Sequence, residues 1–260
     1  MAEVIVLPDA AAAGQFVAAH IAQQVRAQPT FTLGVATGST PLPVYEALRK
    51  EAANGTDFSQ ISAFALDEYV GLPPGHPESY RAVVDREVTV PLGLDPERVH
   101  VPDGSIGGIS TAGERYEQAL RAGGGVDLQL LGIGATGHLG FNEPGSSFGS
   151  LTRVKTLTER TRIDNARFFS SLDEVPIHCV TQGLGTILRA RHLVLLAFGE
   201  AKAAAVAAAV EGPVTASMPG SAIQLHEHVT VVLDPAAASG LRYGEYYRWA
   251  QDHKPDWQGI

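Results

Sequence analysis

The sequence predicts an α/β fold, a doubly wound and mostly parallel sheet flanked by helices in a single domain. Two observations carry this: short β-rich runs alternate with helical ones, and some runs are apolar at nearly every position, as in Leu193-Val-Leu-Leu-Ala-Phe198. A strand that is apolar on both faces belongs inside a parallel sheet covered on both sides. A length of 260 residues suits one α/β core.

The first strand is read over residues 4–7 and is followed by a helix over Ala10–Ala27. A strand over 31–36 leads into a helix over 41–52, where Ser39 or Thr40 is placed to cap and Pro41 suits the first helical position. Next come a strand over 61–66 with a helix over 77–87, and a strand over 126–131. The run 193–198 then precedes a helix over 200–210, and Val229–Leu233 precedes one over 236–244. In such a sheet ligands sit at the carboxyl ends of strands, and each chemical motif below falls at such an end.

Composition removes several functions. A net charge of −9 argues against a nucleic-acid partner, which calls for a basic face. The single cysteine, Cys179, excludes an intramolecular disulfide and cysteine-cluster metal sites, and reads as a small buried apolar residue. The Ala-rich run 201–210 is too short to span a membrane and contains Lys202. Residues 1–7 lack a basic leader segment and read as strand, so a cytoplasmic location without membrane partners is expected.

Three strand ends carry polar chemistry. Leu130-Leu-Gly-Ile-Gly-Ala-Thr-Gly-His138-Leu-Gly-Phe-Asn142-Glu143-Pro144 brings a histidine and a carboxylate five residues apart on a glycine loop, a pairing suited to proton transfer. Its glycines match a dinucleotide-binding fingerprint, but Gly140, Pro144 and Gly145 would break the helix that fingerprint needs, so no nicotinamide cofactor is expected. Thr37-Gly38-Ser39-Thr40-Pro41 turns a strand into a helix whose first free N–H groups can face an anion, yet it lacks the lysine of a nucleotide-triphosphate loop. Asp67-Glu68 ends an apolar strand; burial there would raise one carboxyl and suit it to taking a proton from carbon. His226 and His228 have a spacing that can bind metal, but no third ligand is evident, and packing or surface roles are expected.

Together the motifs resemble the glucosamine-6-phosphate deaminase family. Thr37–Pro41, Leu66-Asp-Glu-Tyr-Val70 with His76-Pro-Glu-Ser-Tyr80, and Gly132-x-Gly-x-x-Gly-His138 with Phe141-Asn-Glu-Pro144 carry the likeness. It runs on through Thr152–Thr158, Asn165-Ala-Arg-Phe-Phe169, Gly183–Leu188 and Gln224-Leu-His226, covering almost the whole chain. The related 6-phosphogluconolactonases share a Gly-His loop but not the Phe-Asn-Glu-Pro ending.

The resemblance implies conversion of glucosamine 6-phosphate and water to fructose 6-phosphate and ammonium, with neither metal nor organic cofactor. It makes Asp67 the carbon base, His138 the group that opens the sugar ring, and Glu143 its orienting partner. Gly38, Ser39, Thr40, Arg167 and Lys202 are implied to grip the phosphate. Ser146, Arg153 and Lys155 match an allosteric site for N-acetylglucosamine 6-phosphate in oligomeric members, so a homo-oligomer is one expectation, and a mobile lid is expected around residues 153–182. Thr136 departs from the family, which often has aspartate there; the threonine leaves Glu143 as the main charged partner of the imidazole. A galactosamine-6-phosphate deaminase would share these residues, and a non-catalytic sugar-phosphate sensor would keep the phosphate grip alone.

Overall fold

The computed structural model describes residues 2–255 and 257–260; Met1, read with the first strand, lies outside the described residues. The strands of the main sheet are β1 (Glu3–Val6), β2 (Thr32–Val35), β3 (Ser62–Ala65), β5 (Val99–His100), β6 (Leu128–Gly132), β9 (His192–Ala197) and β10 (Val229–Leu233). They pair in parallel in the order β1-β10-β9-β6-β2-β3-β5. The doubly wound fold read from the sequence is therefore present. The strand order reverses between β2 and β6, so the loops leaving those two strands part from each other and open a crevice.

The strand pleat sends alternate side chains to two separate cores. Leu130, Val194, Leu196 and Val232 pack with Val17 and Ile21 of helix α1 (Ala10–Ala27) and Leu48 of α2 (Leu42–Ala53). Leu131, Leu193, Leu195 and Val231 instead meet Tyr116 and Leu120 of α5 (Ile109–Ala122) and Val206 of α8 (Ala203–Val210). Helix α1 has the predicted bounds because its apolar stripe recurs every three or four residues and the Asp9 side chain accepts the Ala12 N–H at 2.8 Å.

Several boundaries differ from the sequence reading, each for a local reason. Pro41, not Ser39 or Thr40, takes the capping position of α2, and its carbonyl accepts the N–H groups of Val44 and Tyr45. The hydroxyls of Ser39 and Thr40 make no side-chain cap. The helix expected over 77–87 starts at Tyr80 behind a Ser79 cap, as α3 (Tyr80–Val84), and continues through a wide π turn into α4 (Val90–Leu92). The helix expected over 236–244 is a 3-10 turn at Ala237–Gly240 followed by α9 (Gly244–Asp252). Asp234 holds that turn against the end of β9, accepting from the N–H groups of Ala237 and Gly199.

A second sheet, absent from the sequence reading, lies at the carboxyl edge of the first. It joins β4 (Asp67–Tyr69), β8 (His178–Thr181) and β7 (Arg153–Thr156) in antiparallel pairs. Between β7 and β8 runs α6 (Glu159–Asn165), and α7 (Leu184–Ile187) follows β8. Cys179 is buried here among Tyr69, Phe141 and Leu157, as its sequence reading expected.

At the opposite, amino edge of the main sheet, the ring of His192 lies flat on that of His228 at 3.7 Å, and His20 meets it edge-on. The His226 ring bonds the Ala190 carbonyl and the His228 backbone. Burial, and then repulsion from His228, His20 and His226, drops the His192 imidazole to about 3. The unfolded chain therefore binds the extra proton first, so this group's contribution to stability is complete above pH ~6.5 and is lost as pH falls toward 3. Replacing His192 with Gln is expected to flatten that loss. Urea midpoints at pH 7 and pH 4 check it: a drop as large in the variant as in the parent would show that His192 does not set acid stability.

Candidate active site

The strand-end loops of β2, β3, β6 and β9 enclose one cavity of about 690 Å³. Gly38, Ser39, Thr40, Asp67, His138, Arg167 and Lys202, all singled out in the sequence, share its lining. Thr136 and Glu143 stand behind His138 rather than at the cavity surface.

The strand pleat separates the two acids of the Asp67-Glu68 pair. Asp67 faces the cavity, and burial followed by the charge of Glu68 pushes its carboxyl up to about 8. Glu68 points the other way and is used structurally. It accepts from the backbone N–H groups of Tyr69, Tyr80 and Arg81 at 2.7 to 2.9 Å, tying the first turn of α3 to β4. Of the two acids, Asp67 is the one that lines the cavity.

His138 is set by close packing on the glycine loop. A β-carbon on Gly134 would lie 2.1 Å from the imidazole, so only glycine leaves the ring its place. When Nδ1 of His138 carries its proton it donates to Oγ1 of Thr136 at 2.9 Å, and the Thr136 hydroxyl donates to Oε2 of Glu143 at 3.2 Å. The direct Nδ1 to Oε2 separation is longer, 3.5 Å. Thr136 thus bridges the imidazole and the carboxylate through its hydroxyl, using the donor and acceptor capacity that a neutral threonine retains. Nε2 remains as the nitrogen available to the cavity.

Burial pushes Glu143 up, yet its hydrogen bonds and the imidazole outweigh this and hold the carboxyl at about 2. The bonds come from His138, Thr161 and Thr158. Thr158 donates to Oε1 at 3.1 Å, and the Thr161 hydroxyl donates to the same oxygen. These two threonines were not picked out as site residues; the Thr158-x-x-Thr161 spacing ahead of a helix was the available signal.

On the opposite wall, Lys202 ends the 3-10 turn after β9 and donates to the Ile133 carbonyl at 2.8 Å. Burial and then the charge of Arg167 lower its ammonium below the ordinary lysine value. The part-buried Lys202 and the exposed Arg167 repel each other and would be stabilised by an anion between them. Gly38, at φ +83°, lets the preceding loop turn back beside them.

Ser146, Arg153 and Lys155 lie outside the cavity lining. Arg153 donates to Asn142 Oδ1 at 2.7 Å and to Ser146 Oγ at 3.4 Å, and Lys155 follows two residues along the same face of β7. Asn142 also donates to the Leu139 and Gln182 carbonyls, fixing the histidine loop to β8.

Residues 9–232 match the family model for glucosamine-6-phosphate isomerases and 6-phosphogluconolactonase. This chain belongs to that family. A glucosamine-6-phosphate deaminase of Streptomyces coelicolor is 60% identical, with 99% of this chain and all of the relative aligned. One of Bifidobacterium longum is 53% identical over the full length of both. Among solved structures, a monomeric glucosamine-6-phosphate deaminase superposes with a TM-score of 0.89 at 39% identity, over 92% of this chain and 99% of that one. A 6-phosphogluconolactonase of Trypanosoma brucei shares the fold at a TM-score of 0.75 and 19% identity, covering 93% and 99% of the two chains.

Two substitutions separate placement of the imidazole from its hydrogen bonding. Gly134→Ala should displace the ring and lower kcat about a hundredfold, the scale of a 1 Å misplacement, with the fold retained. Thr136→Val keeps the shape but removes the bridge, and should lower kcat about tenfold, the worth of one hydrogen bond. Steady-state rates with thermal melts check both; parental rates in either variant would contradict the geometry described.

Proposed function

We propose that this chain converts glucosamine 6-phosphate and water into fructose 6-phosphate and ammonium. The observation that carries the reading is one cavity whose lining combines a buried acid, Asp67, a relayed imidazole, His138, and a cationic wall of Arg167 and Lys202. The named relatives support the substrate and the reaction.

The phosphate is held by Arg167, Lys202 and the Gly38-Ser39-Thr40 loop, far enough from the reacting carbons for its binding energy to fix the register. His138 moves a proton at the ring oxygen so that the sugar opens to the aldehyde; Glu143, through Thr136, balances the imidazole's charge. Asp67 then takes the proton from C2, leaving an enolamine, and returns it to C1. Water adds to the resulting C2 imine, and the nitrogen leaves as ammonia, protonated to ammonium. A raised Asp67 would be mostly neutral near pH 7, but the substrate's own amine cation beside it favours the carboxylate.

Three further readings rest on the family likeness. Arg153, Ser146 and Lys155 form a basic patch suited to an activating sugar phosphate, which would imply an oligomer; the structural relative described as monomeric weighs toward a single chain. The segment 153–182 is proposed as a lid, since it carries α6 and Arg167 over the cavity. A cytoplasmic location fits a chain in which no described helix is long and apolar enough to cross a membrane.

Purified protein is expected to release ammonia and ketose phosphate from glucosamine 6-phosphate faster than from the galactosamine epimer, and failure on both sugars would refute the reading. Added N-acetylglucosamine 6-phosphate tests the basic patch, where unchanged rates at low substrate would remove the activation proposal. Asp67→Asn should bind the sugar phosphate but lose turnover, because the amide keeps the shape without the base. Its stability carries a sign. A folded-state carboxyl near 8 keeps its proton while the unfolded chain releases it, so the parent loses stability as pH rises from ~4 to 8. The variant should therefore melt higher than the parent at pH 8 and alike below pH ~4. Turnover within about tenfold of the parent would remove Asp67 as the base.

A further inference from the structure

We infer that Thr158 and Thr161 are positioning residues, which hold the Glu143 carboxylate against Thr136 and His138 so that the relay is assembled only while α6 is seated. The inference rests on the reading of Asp67, His138 and Glu143 as the reacting groups.

The two oxygens of Glu143 are divided between two parts of the chain. Oε2 faces its own loop, taking the Thr136 hydroxyl at 3.2 Å and lying 3.5 Å from the imidazole. Oε1 faces α6, with both threonine hydroxyls on it. Among the described residues the ion pair of Glu143 is with His138, so no second cation fixes the carboxylate. Its rotation is stopped by the hydroxyls. Thr161 is almost completely buried; the helix cap is Thr158, whose Oγ1 accepts the Thr161 N–H at 3.2 Å and lies 3.0 Å from the Thr161 hydroxyl.

The far end of α6 is tied to the other half of the site. Asn165 donates to the Tyr69 hydroxyl at 2.9 Å, two residues beyond Asp67 on β4, and the chain then runs directly to Arg167. A seven-residue helix thus braces the relay at one end and the strand of the carbon base at the other. Engagement of Arg167 by a phosphate steadies the same short segment. Binding at the anion end and charge placement at His138 become one event, and an unseated α6 leaves Glu143 without both hydroxyl donors on Oε1.

Thr161→Val and Thr161→Ser test this, since both keep the N–H that Thr158 caps. Thr161→Val is expected to lower kcat about tenfold with KM changed less than about twofold, and Thr161→Ser to restore kcat within about threefold. Loss of a donor also moves the Glu143 titration upward, carrying with it any acid limb of kcat that Glu143 sets. Carbon-13 NMR of the Glu143 carboxyl in the two variants and the parent reads this without turnover. Parental kcat and titration in Thr161→Val, or a Ser variant as impaired as Val, overturn the inference. If the parent itself releases no ammonia, the functional reading fails, while the carboxyl titration still decides the clamp. Should Thr161→Val not fold, Thr161→Cys, a near-isosteric weak donor, carries the same expectation with a smaller drop.

Discussion

The chain winds from β2 outward to β5, returns to the middle of the sheet at β6, and winds outward again to β9 and β10. Neighbouring strands that send their connections in opposite directions cannot close the space between their carboxyl ends. That space is the cavity, and its lining is dictated by which loops border it: the turn after β2 for the anion, the loop after β6 for the imidazole, the end of β3 for the acid. Neither core face of the sheet contributes a reacting group. The apolar interior holds these loops at fixed spacing, and the chemistry is confined to the rim.

Within that rim, three carboxylates of similar intrinsic acidity are given different tasks by their surroundings. Asp67 is buried beside another acid and is pushed up to about 8; Glu143 is buried too, but donors and an imidazole hold it at about 2. Glu68 is occupied by three backbone N–H groups. Driving two acids apart in this way leaves a raised carboxyl at the cavity surface and a permanent negative charge behind the imidazole. Thr136 fits the same logic. A neutral hydroxyl between His138 and Glu143 transmits polarisation without setting a second negative charge beside the first.

Most of the central sheet was legible because its inner strands are apolar on both faces, and Val229–Leu233 and helix Ala10–Ala27 have their predicted bounds; the two-residue edge strand β5 was too short to read. Of the cavity-lining residues, Gly38, Ser39, Thr40, Asp67 and His138 were legible as strand-end motifs, whereas Arg167 and Lys202 were reached only through the family resemblance. The small sheet was not, since β4, β7 and β8 are three or four residues long and partly polar, and β4 finds its partner β8 more than a hundred positions along the chain. Helix α5 was missed for a different reason. Gly113 interrupts its pattern, and the structure needs glycine there because a β-carbon would lie 2.3 Å from the Thr152 carbonyl. Ser39 and Thr40 were misread as caps because Pro41 itself takes that position. Thr158 and Thr161 escaped notice as site residues because their partner, Glu143, comes from a distant loop.

The order of the two acids on β4 ties together properties that are usually separable. Because successive residues of a strand face opposite ways, Asp67 meets the cavity and Glu68 anchors the start of α3. A one-residue slip of β4 against β8 would turn the helix anchor into the cavity and bury Asp67 against backbone N–H groups. Misregistration at this edge is thus both a folding error and a chemical one. The pairing of the small sheet and the facing of the cavity acid are therefore set by one and the same register.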